Sequence, residues 1–374
     1  MLSLVLGDSH AGRCTARPPG AHWKRAAWAL SLVGCVFGCG DDGTKTVALA
    51  DSGSLSILAN NNLDIPTTVA VRDNVAWVAE SQFDHYAPFG GMGDPGAFRI
   101  IGVPLAGGMA LQIPLPANFF PEGITASKSG RLYIGSVADG TIYTVAPNAL
   151  TADPFVAKNT LPKPSVLGMA VSADNGILWV CNTVTTPPAG TLPSAAIVGI
   201  GAGDGVVKAT HELPASSVGA FCNDIVIADN GTLWATESFG GRLFRIPSGE
   251  LLSNTPATAW LQASELAGPN GPVAGDFGAN GLALMSGELF VVNSKRGTLL
   301  SIDPTLAQPG SADLHVVALT ESGVTGQVAL ANPDGITRVS DTDLLIVENG
   351  FFVENNVVVD RGGKRLTRVR IDTQ

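Results

Sequence analysis

The sequence predicts an all-β fold: a six-bladed β-propeller with four antiparallel strands per blade, its ring closed by an N-terminal strand. Three observations lead there. First, one pattern recurs: a polar residue, often followed by Gly, then a short apolar run, a polar turn and a second apolar run. It is clearest in "PEGITASKSGRLYIGS" (residues 121–136), "NDIVIADNGTLWATES" (223–238), "ANGLALMSGELFVVNS" (279–294) and "PDGITRVSDTDLLIVEN" (333–349), with weaker copies beginning at Thr67 and Leu167. Second, the copies keep a period. Aligned on Asn223, the anchors are Thr67, Glu122, Leu167, Asn223, Asn280 and Asp334, separated by 55, 45, 56, 57 and 54 residues. Units of this size, each with several strand-length runs bounded by turn residues, carry the propeller signature. Third, no helical period appears after residue 45, and 45 Gly with 24 Pro suit a chain full of turns.

In chain order, residues 1–39 come first and differ from the rest. A basic stretch, an apolar core of signal-peptide length and small residues precede "GDDG". The apolar run is too short to span a bilayer comfortably. "LVGC" resembles the lipobox of bacterial lipoproteins, which implies lipidation of Cys35; "VFGC" offers Cys39 as the alternative. The expectation is an exported protein, a cell-envelope lipoprotein or a periplasmic or extracellular one, touching the membrane only through a lipid anchor. Residues 40–47 read as a tether and 48–374 as the propeller.

The segment "SLSILAN" (54–60) belongs to no repeat, and the last repeat stops after "RLTRVRID" without a fourth strand. The first is therefore expected to complete the second, which removes an exposed sheet edge. Within each blade, strand A follows the anchor. Strand B carries Trp77, Tyr133, Trp179, Trp234, Phe290 and, in the sixth copy, Leu345, read as packing between blades. Strand C follows a Gly in "GTIYTV", "GRLFRI" and "GTLLSI", and strand D is outermost, as in "LHVVALT". Cys181 and Cys222 fall on neighbouring blades. Export would permit a bridge, but two buried thiols are the reading favoured here.

Without residues 1–38 the chain carries 18 basic against 31 acidic residues. So acidic a chain with no basic run excludes nucleic acid as a partner. A monomer is expected.

In a propeller the starts of the A strands converge on one face of the central channel. There the anchors Glu122, Asn223, Asn280 and Asp334 bring carboxylate and amide groups together. An Asn or Asp before a strand often serves only a local turn. Four in one register point further: converging carboxylates repel unless a proton or cation lies between them. An all-oxygen donor set selects a hard divalent cation, calcium best. Strand B returns to the same face, so Glu80, Asn182, Glu237, Asn293 and Glu348 are candidates for substrate contact or for support of the metal ligands. The long loops 81–97, 184–195 and 349–363 should overhang this face with Phe83, Tyr86, Phe89, Phe351 and Phe352. An apolar lip suits an apolar ester or lactone. His85, in the first of these loops, could face the site; His211 and His315 fall on outer strands.

The order Glu, blank, Asn, Asn, Asp over five consecutive repeats, in "PEGI", "CNDI", "ANGL" and "PDGI", resembles the calcium lactonases of the gluconolactonase and senescence marker protein (regucalcin) family, with the paraoxonases more distant. The resemblance implies one calcium held by Glu122, Asn280 and Asp334, with Asn223 completing the site or touching substrate, and Asp334 as general base; Glu237 and Glu348 are the runners-up. Sugar lactonases of the family carry Arg where this chain has Phe221, which argues against a simple sugar lactone as substrate. Paraoxonases hold a second calcium with an Asp where this chain has Gly123, and their catalytic His pair has no counterpart here. Two functions follow: a calcium-dependent hydrolase acting on a small-molecule lactone or ester, or a non-catalytic propeller that binds a ligand or protein at the envelope. The strictosidine synthase type shares the architecture but not its specific residues.

Overall fold

The computed structural model describes residues 49–59, 63–354, 357–360 and 363–372. The expected signal segment, with Cys35, Cys39 and the tether, lies outside them. Residues Val47–Gln374 form one compact unit.

Six blades follow one another along this unit. Blade one comprises Pro66–Arg72, Val75–Glu80, Arg99–Pro104 and Leu111–Pro114; blade two, Pro121–Ala126, Leu132–Ser136, Ile142–Val145 and Ala152–Val156. Blade three comprises Ser165–Val171, Ile177–Thr183, Ala195–Gly201 and Val207–Glu212; blade four, Cys222–Ile227, Leu233–Glu237, Arg242–Ile246 and Ala259–Gln262. Blade five comprises Ala279–Met285, Glu288–Asn293, Thr298–Ile302 and His315–Val316. Blade six takes Pro333–Arg338, Asp343–Glu348 and Arg365–Ile371 from the C-terminal part of the chain and its outer strand, Ser52–Ala59, from the N-terminal part.

That last pairing is antiparallel, with Gly53 opposite Ile371 and Leu55 opposite Val369, so the ring closes as the incomplete repeat predicts. The closing strand has a second neighbour. Blade five's outer chain continues into Ala318–Glu321, which runs parallel to Ser52–Leu55. Residues 52–59 are thus held between strands of two successive blades, and the edge that would otherwise template aggregation is paired.

The core lies between blades. Six separate apolar clusters fill the six interfaces, and each contains the strand-B residue singled out by sequence. Trp77 packs between blades one and two, Tyr133 between two and three, and Trp179 between three and four. Trp234, Phe290 and Leu345 continue the series, the last closing six onto one. A large side chain at this position reaches past its own sheet, which is why the repeat keeps an aromatic there. Burying each contributes roughly 1.5–3 kcal/mol.

One expectation is corrected. Cys181 and Cys222 form a disulfide, with Cα atoms 5.2 Å apart, joining strand B of blade three to strand A of blade four. The separate repeats place the two residues on neighbouring blades but do not set the register between those blades, and that register brings the sulfurs together.

Candidate metal and substrate site

Each A strand reaches the channel through the same irregularity. In blade four Cys222 pairs with Glu237 and Ile225 with Ala235, so Asn223 and Asp224 together face the single residue Thr236. The corresponding break occurs in all six blades, with Glu122, Asn280 and Asp334 at the first bulged position. A bulge bends the strand and re-aims a side chain; here it turns the anchor toward the axis. The second bulged position lies against the next blade's backbone, and Gly fills it in four blades. A Cβ at Gly123 would stand 2.0 Å from the Leu167 carbonyl oxygen, and one at Gly281 2.4 Å from that of Asp334. The backbone therefore has no room for an Asp at position 123.

Glu122, Asn223, Asn280 and Asp334 are buried and form the floor of a cavity of about 610 Å³. The hydrogen bonds around them orient their oxygens. Asn223 donates its amide to Ser238 Oγ at 3.0 Å, and that hydroxyl donates onward to the Ala279 carbonyl at 2.7 Å. Asn280 does the same with Ser294 at 2.9 Å, and Ser294 donates to the Pro333 carbonyl at 2.6 Å. With the amide nitrogens so engaged, each Oδ1 is the atom left for the cavity. Asp334 meets the opposite partner, a donor: Asn349 Nδ2 reaches its Oδ2 at 2.8 Å. Glu122 Oε2 is buried and has no hydrogen-bond partner. The anchors of the other two blades differ. Thr67 donates to the Glu122 carbonyl at 3.0 Å, and Leu167 lines the cavity.

A third carboxylate joins the pair. Asp224, which the sequence reading left without a role, accepts from the amides of Ile225 (2.8 Å) and Leu282 (3.2 Å), inside the channel beneath the floor. Without a cation the three disfavour one another's ionisation. Burial, then the charges of Asp334 and Asp224, push the Glu122 carboxyl well above its ordinary value. Burial likewise raises Asp334 to about 8, against the Asn349 hydrogen bond, and Asp224 to about 7. Among the described residues no group of three or more His, Cys, Asp or Glu is placed to hold a metal; half of this donor set is amide. An orphaned carboxylate oxygen, a neighbouring carboxylate and two oriented amide oxygens fit a hard cation.

The strand-B candidates serve another purpose. Glu80, Asn182, Glu237, Asn293 and Glu348 do not line the cavity. Each clamps the backbone that leads into its own blade. Glu80 accepts from the Asp64 amide (3.0 Å) and Arg99 Nε (2.7 Å); Glu237 accepts from the Phe221 amide (3.1 Å) and Arg242 Nε (2.9 Å). Glu348 accepts from the Ala331 amide and from Arg365 Nε at 2.7 Å. Asn182 and Asn293 donate to the carbonyls of Ser165 and Ala267. The next residue faces the axis instead, because successive side chains of an extended chain alternate sides. That is how Ser238, Ser294 and Asn349, not singled out by sequence, come to hold the anchors.

The walls are aromatic. Phe83, Phe89 and Phe351 come from the long loops, as expected, and Phe221 lines the cavity with them. Phe239, in the short turn between Glu237 and Arg242, and Phe277, at the end of the long connection 263–278, lie outside the periodic runs and are not marked by the sequence. The rings touch in series: Phe351 to Phe83 (6.1 Å between centroids), Phe83 to Phe89 (5.0 Å), Phe89 to Phe277 (6.4 Å) and Phe277 to Phe221 (5.2 Å). Tyr86 is buried within its loop, against Phe120, and the side chain of Phe352 lies outside the described residues. His85 does not line the cavity; its Nδ1 lies 2.9 Å from the Met92 carbonyl oxygen. His211 is buried on an outer strand, between the Thr255 and Leu251 carbonyls.

Comparison with known proteins bears on the fold. Residues 109–145 match a family described as "Strictosidine synthase-like, N-terminal". No curated protein matches by sequence. Among solved structures, a calcium-binding regucalcin from Agrobacterium tumefaciens is similar with a TM-score of 0.57 at 13% identity, covering 86% of this chain and 95% of that one. A luciferin-regenerating enzyme is similar with a TM-score of 0.59 at 12% identity, over 85% of this chain and 95% of that one. Virginiamycin B lyase from Staphylococcus aureus gives 0.53 at 15% identity, over 86% of this chain and 100% of that one. At these identities the likeness is one of fold, a six-bladed propeller, which carries varied functions.

Proposed function

We propose that this chain hydrolyses lactones or esters with an apolar acyl or alcohol part, using a divalent cation, calcium by donor chemistry, held by Glu122, Asn223, Asn280 and Asp334. The observation that carries the reading is the partnerless, buried Oε2 of Glu122 within an all-oxygen floor. A bound calcium would supply a Lewis acid that polarises the carbonyl and offsets the oxyanion's charge. The residues do the rest. Asp334 takes a proton from water as the water oxygen bonds to the carbonyl carbon. The bond from that carbon to the leaving oxygen then breaks, and the proton passes to the leaving oxygen. Glu237 and Glu348, the other candidate bases, are engaged by Arg242 and Arg365. The Phe walls hold the apolar part and exclude water, and Phe221 offers no charge to a sugar acid. The resemblance to the gluconolactonase family supports the same assignment.

A second reading, a non-catalytic propeller that binds an apolar ligand or a protein, is favoured by the absence of any His among the residues lining the cavity. One experiment separates them: rates on panels of lactones and aryl and alkyl esters, before and after treatment with EGTA. Hydrolysis lost on chelation and restored by calcium supports the hydrolase. Binding of an apolar probe without turnover supports the binding propeller.

Export with lipid anchoring at Cys35 or Cys39 is part of the proposal, as are a monomeric state and the lack of a nucleic-acid partner. The motive for export is the basic, apolar, small-residue, Cys order of the N-terminal segment. Mass spectrometry of the mature N-terminus tests it; an unmodified terminus beyond Cys39 refutes lipidation.

A further inference from the structure

Blade six differs from the others at the residue that follows strand B. The equivalent residues in blades four and five, Ser238 and Ser294, donate a hydrogen bond to a carbonyl at the start of the next blade. In blade six the residue is Asn349, and its amide group spans two parts of the site. At one end Nδ2 donates to Asp334 Oδ2 at 2.8 Å. At the other, Oδ1 accepts from the Phe351 amide at 2.9 Å and from Asn332 Nδ2. Asn332 closes the loop: its Nδ2 also donates to the Phe351 carbonyl, and its own carbonyl accepts from the Asn349 amide at 3.2 Å. Asn332 adopts φ 50°, a left-handed conformation that Asn tolerates better than most residues. Asn332, Asp334 and Asn349 are all buried and line the cavity.

We propose that Asn349 is the positioning residue for Asp334, and that through Asn332 it ties that carboxylate to the Phe351 end of the aromatic wall. The side-chain amide is flat and rigid, so its two ends move together. While Phe351 is seated against Phe83, at 6.1 Å, the Asn349 nitrogen is fixed on Asp334 Oδ2 and Oδ1 is the oxygen presented to cation or water. The apolar wall and the polar floor then form one mechanical unit. A serine in place of Asn349 would keep a hydroxyl near the anchor, as Ser238 and Ser294 do beside Asn223 and Asn280, but could not hold both ends.

This inference rests on the hydrolase reading, so the wild type is measured first. Calcium binding is followed by isothermal titration, and rates are taken on 4-nitrophenyl acetate, 4-nitrophenyl butyrate and δ-valerolactone. A wild type that binds no calcium and turns over none of these overturns the reading and the inference together. Given an active wild type, Asn349→Ser is expected to lower kcat about 10–100-fold, the scale of a misplacement of about 1 Å. KM should change by less than about threefold, and calcium affinity should fall about tenfold, while the variant melts as one folded species. Should it fail to fold, Asn332→Ser is read instead. It removes one of the two donors that hold the outer end of the amide and leaves that of Phe351, and kcat should fall about 3–10-fold. A folded, calcium-loaded variant with wild-type kcat and wild-type calcium affinity overturns the inference alone. So does a loss of rate that only tracks the unfolded fraction.

Discussion

Burial governs the protonation of the axial carboxylates when no cation is bound. Asp334, raised to about 8, and Asp224, raised to about 7, both hold their protons more tightly in the fold than in the unfolded chain, where values near 3.8 apply. Such groups stabilise the fold fully below the unfolded value, and that contribution is lost as pH rises through the folded one. In the metal-free protein the melting temperature should therefore fall between about pH 4 and 8 and level off above, and excess calcium should flatten the profile by supplying the opposing charge. A chelated protein whose melting temperature ignores pH over that span would contradict this account of the site. At the same residue, Asp334→Asn keeps an oxygen for the cation but removes the base, so kcat should drop by about 10²–10⁴. Metal content is measured alongside; full activity in a calcium-loaded Asp334→Asn protein would remove Asp334 from that role.

At the scale of the strand pair, what the sequence reveals depends on parity. The repeat exposes the A-strand anchors because a polar residue before an apolar run recurs in register, and the structure gathers Glu122, Asn223, Asn280 and Asp334 on one floor. The end of strand B is legible only to within one residue, and one residue is the difference between facing the axis and facing away. Glu237 thus clamps a loop while Ser238 holds Asn223. Phe239 and Phe277 leave no periodic trace, and the Cys181–Cys222 bond depends on how two blades abut. The clamp has a testable consequence. Glu237 is fully buried and its partner Arg242 nearly so; Glu237→Ala leaves that cation unpaired and should destabilise the protein by about 3–5 kcal/mol. Because Glu237 does not line the cavity, kcat per folded molecule should hold. Denaturant melts and active-site-normalised rates check both halves, and a stable but slow variant would return Glu237 to the chemistry.

Across the whole molecule, two ties hold the ring. The disulfide closes a 41-residue span, and loop-closure entropy alone makes it worth about 4 kcal/mol. Reduction, or Cys181→Ala with Cys222→Ala, should lower the denaturant midpoint accordingly; an unchanged midpoint would mean that packing between blades three and four suffices. The second tie is the strand Ser52–Ala59. Deleting residues 46–60 exposes the edge of Arg365–Ile371 and should lower the melting temperature markedly, whereas a truncated protein that melts like the full chain would refute closure. This strand also dictates a timetable. Its partner lies about 300 residues further along the chain, so the pairing belongs to the slowest class of folding contacts. Blades one to five can form from local hairpins as the chain is synthesised, but the circle stays open until the segment around Arg365–Ile371 emerges. Until then residues 52–59 remain an unlatched sticky end, open to the matching strand of a second copy. Crowded synthesis should therefore yield strand-exchanged oligomers, and dilute refolding the closed monomer.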